Sequence, residues 1–484
     1  VNTSPDRGVT GTPVSPPPGC PAHGLIPELR RLDGPEAEAD PMALYESLRK
    51  EHGTVAPVMF HGDVRAWLVL GHRENLEVMR NPFRYSRDSR MWRDQVPQDH
   101  PLAPITQWQP LCNFADGDDH RRLRGAVTDS IARFNHRGIR GHVNRYANQL
   151  IDRFAASGRA DLVADFAVPL PMLVMVRLVG LPEEYGPRLV DATRDMLKGT
   201  ETAVASNAFI TDTLQRLVER KRADPGHDFA SWLLEHKAAL SDEEVREHLR
   251  LVLIAAFETT ANLIANTLSM NLTDQAFQAD IAGGQMTLPD ALEQVLWDKP
   301  SFELMVGRWA TGDTRLGGQD IKAGDMLVLG LAAGNVDPEI RPDLSDPVYG
   351  NRSHLAFGGG DHECPGQEVG RAIAEVGIDA LLHRLQDVKL AIRPGDLAWR
   401  KSSLLSSYLV ALPVEFSPHR PRQSEPVRAG DLSESEPRTV PVSGKSSAAE
   451  RGAPERVTPQ SPALAPVGPR PSWWRRLVQR LRGQ

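Results

Sequence analysis

Cysteine is scarce in this chain. Three residues, Cys20, Cys112 and Cys364, are an odd count for 484 positions, which argues against a disulfide framework and for a reducing, cytoplasmic compartment. Neither sign of charge dominates. A net charge of -7 gives no general attraction to nucleic acid or to anionic lipid. No run of 18 apolar residues is found, so no membrane span is expected. The opening VNTSPDRGVTGTPVSPPPG has no apolar stretch of the secretory kind. No regular repeat of 20–50 residues is present, and no glycine-rich dinucleotide motif follows a strand pattern. Aromatics are missing from 418 to 471, a stretch that holds 11 of the 39 prolines. Such a segment buries too little apolar surface to offset chain entropy.

What is present is ordinary globular material, 40% hydrophobic and 25% charged. Helical patterns dominate, so the expected fold class is mainly α with small β-sheets, in one large domain over 25–416. Around it the expectation is disorder over 1–24, a disordered Pro-rich linker over 417–470 and a basic amphipathic helix over 471–484. The strongest helical pattern runs from Ser241 to Leu268, with Ser241 and Glu244 in capping-box spacing and an apolar middle. Strands are expected over 67–72 and within 325–335, the latter with a turn.

Three stretches carry chemistry. In HLAFGGGDHECPGQEVG (354–370), Gly358–Gly360 permit a sharp turn, and Cys364 stands where a helix begins. A helix N-terminus favours thiolate, so a lowered thiol pKa is expected. A metal bound by a single thiolate points to iron already held by a macrocycle, which is haem. In AAFETT (255–260), Glu258 beside Thr259 is costly inside an apolar helix unless it has partners or work. The plain alternative is a threonine bonded back to a helical carbonyl. In DGDDHRRLRGAV (116–127), His120 and Arg124 share one helix face. A solvated basic face is the plain reading for Arg121 and Arg122, and no interleaved aromatics support nucleic-acid binding.

Together these residues resemble cytochrome P450, the haem-thiolate monooxygenases. Phe357, Gly360, Cys364 and Gly366 match the signature F-x-x-G-x-x-x-C-x-G, and His362 fits common bacterial versions. The resemblance covers roughly 25–416, with NVDP (335–338) and an ending over 402–416 similar to the family's terminal hairpin. It implies a single haem-binding domain carrying haem b, with Cys364 as the axial ligand of iron. It further implies Phe357, Gly358 and Gly366 in the loop around the cofactor, and Ala256 on the helix above it. His120, Arg124, Arg308 and His354 would contact the haem propionates. Glu258 would relay protons, and Thr259 would order water beside bound dioxygen. The substrate would be an apolar small molecule. Electrons would come from a separate ferredoxin and ferredoxin reductase.

The pattern departs from the family in three places. The helix that usually carries E-x-x-R reads ALEQVLWDKP (291–300), so Gln294 and Trp297 replace the ion pair and Glu293 is one residue out of register. A neutral Gln–Trp substitute and a less firmly held cysteine loop are the expectations. Ala256 replaces a glycine, and its methyl narrows the space above the iron. RPDLSDPVYGN (341–351) lacks the usual aromatic-arginine pattern. This version resembles an actinobacterial subgroup, some of whose members are encoded beside small-GTPase-like proteins, which implies signalling partners of that kind. A haem-binding regulator with little turnover is therefore the alternative to an active monooxygenase, and a degenerate relative that still folds is a third reading. The ending PSWWRRLVQRLRGQ presents Trp473–Arg482 as a basic amphipathic element for an anionic membrane surface or a protein groove, against the plain reading of an unstructured basic end. Cys20 and His23 make half a zinc site with no second half nearby, and Cys112 reads as a buried core thiol.

Overall fold

The nearly continuous apolar runs Val55–Phe60 and Val64–Val69 form an antiparallel pair, Val55 opposite Val69. The sheet continues in the order Met326–Gly330, Leu304–Ala310 and Tyr85–Ser86. Val64–Val69 runs parallel to Met326–Gly330. The helix Pro41–His52 sends Leu44, Tyr45 and Leu48 onto one face with Val58, Leu68 and Val328, while Val69, Leu327 and Leu329 pack with Val78, Met79 and Leu355 on the other. Burial on both faces explains why Met326–Gly330 is uniformly apolar. The register slips between Met305 and Arg308, where Gly307 takes φ +88. This bulge re-aims Arg308 into the interior.

This computed structural model describes residues 29–60, 63–92, 106–198, 201–401 and 407–421. The chain divides into Val1–Pro421 and Arg422–Gln484, and the second unit lies outside the described residues. So do Cys20, His23, nearly all of the Pro-rich stretch and the Trp473–Arg482 segment.

Three helices position the site. The core helix Asp242–Thr273 begins with the expected capping box, Glu244 N donating to Ser241 Oγ at 3.1 Å and Ser241 N to Glu244 Oε2 at 2.8 Å. From Phe257 to Asn271 every residue except Thr259 is buried. By length and composition this helix could cross a membrane, which the search for apolar runs missed. However, 67% of its apolar window is buried inside the protein, as befits a core helix. The helices Leu288–Asp298 and Gln367–Arg384 pack on it and on each other.

Two local expectations are corrected. After the strand Met326–Gly330 the chain enters a short helix, Leu331–Asn335, rather than a turn. The hairpin expected over 402–416 lies earlier, in the antiparallel pair of Trp399–Lys401 and Ser407–Leu409, and the last strand leaves it. Pro413–Glu415 joins Arg159–Asp161 and Lys389–Leu390 instead. The switch is made at Leu412, whose N–H donates to Asp161 Oδ1 at 2.8 Å and whose carbonyl accepts from Leu162 N at 3.0 Å.

Candidate haem-thiolate site

The loop before the helix Gln367–Arg384 is built from glycine conformations. Gly358 and Gly360 have φ of +71 and +65, a region closed to most side chains. A Cβ at Gly360 would come within 2.4 Å of the Met79 carbonyl oxygen, so the loop lies flat on the end of the helix His72–Arg80. Cys364 N–H donates to the Phe357 carbonyl at 2.9 Å and closes the turn. On the other side of Cys364, nothing lies within 4 Å of where a Cβ on Gly366 would stand. Burial raises the thiol pKa, opposed by the Gly366 N–H and by Arg124 and Arg371. The expected depression by the helix terminus is thus outweighed, because desolvation penalises the anion more than the nearby donors favour it.

Beside the loop lies a group of buried donors. The rings of His120 and His362 sit 4.2 Å apart; the Nε2 of His120 is buried without a hydrogen-bond partner, while the Nε2 of His362 lies 3.5 Å from Asp116 Oδ1. Arg308, 1% exposed, has a buried, unpartnered Nε and donates from its other end to the Tyr85 carbonyl at 3.3 Å. Among the described residues no carboxylate forms an ion pair with it. Burial, then the positive charge of Arg87, lowers its pKa to about 9. A buried guanidinium without an anion is unfavourable, so this corner calls for one. Burial lowers His362 to about 3, against the pull of Asp116, so it is neutral near pH 7. Arg124, on the helix Gly117–Ala132 with His120, donates to the Glu363 carbonyl.

His354 is not part of this group. Its Nε2 lies 2.8 Å from Glu293 Oε2 and its Nδ1 accepts from Ala356 N at 3.3 Å. With both ring nitrogens engaged, it has no donor left for a propionate. This corrects the expectation for His354, and His362 stands where a second histidine donor is needed.

Glu293 also corrects the reading of the helix Leu288–Asp298. It is 3% exposed and accepts from Arg371 Nε at 2.7 Å and Nη2 at 3.2 Å. Burial would raise its pKa, but His354 and Arg371 hold it at about 2. The Arg371 guanidinium also covers the Phe357 ring, 4.5 Å from the centroid. A buried Glu–Arg pair therefore exists, formed between two helices rather than within one. No local pattern marks Arg371, because its partner lies 78 residues earlier.

The core helix faces the loop with a different surface. Ala255 is exposed, and Leu251, Val252, Ala256 and Thr259 are half-buried. At steps of four they form one stripe that the described residues leave only partly covered. Thr259 Oγ1 donates to the Ala255 carbonyl at 2.8 Å, the back-bonded geometry of the plain alternative, and Glu258 beside it is 6% exposed. Cys112 is a buried free thiol, as expected. Its N–H donates to His248 Nε2 at 3.0 Å, tying its loop to the core helix.

No family model matches the chain. Among curated proteins, the cytochrome P450 monooxygenase PikC of Streptomyces venezuelae is 31% identical over 427 residues, 85% of this chain and 97% of that protein. The chain belongs to the cytochrome P450 family. Nocardicin C N-oxygenase of Nocardia uniformis is 30% identical over 393 residues, 78% of this chain and 97% of its own. The solved myxobacterial cytochrome P450 CYP267B1, in complex with myristic acid, matches with a TM-score of 0.71 and 30% identity over 80% of this chain and 99% of its own. The resemblance drawn from the motifs is thus borne out, as is the fold class. The chain is a P450 monooxygenase, an oxidoreductase of a family that carries haem b.

The residues present fit that cofactor. It needs a sulfur ligand, a flat space beside it and donors for two carboxylates. Cys364, the open side of Gly366, and the unpartnered nitrogens of His120 and Arg308 meet those needs.

Proposed function

We propose that Cys364 is the axial ligand of haem iron and that the protein inserts one oxygen atom from dioxygen into an apolar small molecule. The observation that carries this reading is the pair of buried, unpartnered donors at His120 and Arg308 beside the Cys364 loop, with the His362 ring 4.2 Å from that of His120. Arg308, His120 and His362 would hold the haem carboxylates by charge-assisted and neutral hydrogen bonds, and Arg124 would close the edge. Phe357, Gly358 and Gly366 shape the loop that offers the sulfur. Bound haem supplies the one-electron and dioxygen chemistry, with thiolate ligation raising electron density at iron.

The chain's own residues then do three things. The stripe from Leu251 to Ala256 presents apolar surface that packs substrate and excludes water, and the Ala256 methyl narrows the opening. Thr259 releases its back-bond to Ala255 and turns its hydroxyl toward the open side. Glu258, one residue earlier, hands protons to it through water. Electrons come from a separate ferredoxin and its reductase, and the protein works in the cytoplasm. The buried Glu293–Arg371 pair favours a competent haem site over the regulator reading, which draws on the altered motifs and the tethered basic ending. The basic ending 473–482 is proposed to touch anionic membrane; liposome recovery of the full chain against one ending at Arg470 tests it, equal recovery excluding the contact.

The deciding measurement is the optical spectrum of the reduced carbon monoxide adduct. A thiolate-ligated band is expected, and its absence from haem-loaded protein overturns the reading. Product formation with peroxide or surrogate electron donors across a panel of lipophilic compounds separates enzyme from regulator.

A further inference from the structure

The helix Leu288–Asp298 bears a second buried ion pair, one turn beyond the position of the missing one. Arg341 Nη1 donates to Asp298 Oδ1 at 2.8 Å, with side-chain exposures of 5% and 11%. Gln294 Nε2 donates to the other oxygen of Asp298 at 2.7 Å, so the residue in the glutamate's place now orients the carboxylate that replaces it. The guanidinium of Arg341 lies 5.5 Å from the Trp297 ring centroid, so the residue in the arginine's place now braces the arginine that replaces it.

These groups hold one strip of chain. Arg341 Nη2 donates to the Leu344 carbonyl at 3.3 Å, Val348 N to Gln294 Oε1 at 3.3 Å, and Trp297 Nε1 to the Asn351 carbonyl at 2.8 Å. His72 stacks on Trp297, centroids 6.2 Å apart, and its Nε2 meets the Ser353 carbonyl at 3.0 Å. Next come His354 on Glu293, Leu355 N on Asn335 Oδ1 at 2.8 Å, and Phe357, whose carbonyl receives Cys364 N–H. The strip from Arg341 to Cys364 is thus anchored at Leu344, Val348, Asn351, Ser353, His354 and Leu355.

We infer that Asp298 and Arg341, with Gln294 and Trp297 between them, form a register-shifted clamp that positions the Cys364 loop in place of the absent Glu-x-x-Arg pair. They are positioning residues and touch neither substrate nor cofactor. The inference rests on Cys364 being the haem ligand. Removing one member of a buried pair strands the other charge and costs stability, so the signature that distinguishes a clamp is loss of the thiolate band ahead of the helical signal.

The test uses the full chain loaded with haem, in the variants Arg341→Gln, Asp298→Asn and Arg341→Lys. Leu48→Ala, in the helix Pro41–His52 and fully buried, serves as a control for general destabilisation. Far-ultraviolet circular dichroism and the reduced carbon monoxide spectrum are followed together on mild heating. Arg341→Gln and Asp298→Asn are expected to lose roughly twofold or more of the thiolate-ligated band while the helical signal is intact, as a site with loosened support should. Arg341→Lys keeps the charge without the fork and falls between them and the unaltered protein. In Leu48→Ala the two signals decline together. The clamp is overturned if Arg341→Gln behaves as Leu48→Ala does, or if its thiolate band matches that of the unaltered protein at every temperature. No thiolate band in the unaltered protein overturns the haem-thiolate reading itself, which distinguishes the two failures.

Discussion

The Cys364 loop and the helix Leu288–Asp298 touch each other yet follow the family pattern to different degrees. In the loop, Phe357, Gly360, Cys364 and Gly366 all stand in register, and two left-handed glycines with one backbone hydrogen bond set its shape. In the helix, both members of the expected ion pair are gone. Its charged work is divided between Glu293, facing Arg371, and Asp298, facing Arg341. The lesson is that a loop presenting a ligand is constrained residue by residue by covalent and steric geometry. A supporting helix is constrained only to supply buried charge in the right directions, and more than one register does so.

The comparison breaks most sharply at Cys364. Cys364→Ser should abolish the thiolate-type carbon monoxide band completely while leaving the Glu293–Arg371 pair and the helical signal in place. A retained band would mean that the loop is not the ligand loop.

Glu293→Gln should cost about 3 kcal/mol, because it leaves the buried Arg371 guanidinium with only the half-exposed Glu368 as an anion, at 3.2 Å. Gln294→Ala, next to it, should cost only about 1–2 kcal/mol for the lost contacts to Asp298 and Val348. Denaturant midpoints at constant slope measure both, and equal costs would remove the distinction drawn between the two positions.

Arg308→Met sharpens the contrast between holding the protein and holding a ligand. The haem-free protein should gain stability, by about 1–3 kcal/mol, because a buried charge without an anion is removed. Haem retention should fall. Thermal melts of the haem-free protein and transfer of haem to a scavenger protein give the two readings, and a loss in both would make Arg308 structural.

The pH dependence separates the two sides as well. Glu293 titrates near 2 in the folded state against an ordinary 4.5. Its contribution is therefore complete above about 4.5 and is lost as pH falls toward 2. An acid-unfolding curve should be flatter across that window in Glu293→Gln than in the unaltered protein. The smallest effect is expected away from both regions. Ser241→Ala removes the capping bond at the start of the core helix and should cost about 1 kcal/mol.

Much of the site was legible in the order of residues, because its signals are local. Glycines that must take positive φ, a cysteine at a helix start, and an acid beside a threonine in an apolar helix are all visible within a few positions. The His120 and Arg124 pair was visible for the same reason, four residues being one turn of helix. His354 was misassigned because spacing alone does not say which ring meets which carboxylate. The terminal strands were misassigned because strand partners are chosen by distant edges, here Arg159–Asp161.

By itself the amino-acid order determined where the sulfur would be offered and which helix would face it, since both depend on backbone geometry over one or two turns. Only the folded arrangement decided how that offer is supported. The bonds from Glu293 to Arg371 and His354 join positions 78 and 61 residues apart, and the Asp298–Arg341 bond spans 43. Whether a buried charge finds its partner across such separations is settled by how helices pack, which no local pattern encodes.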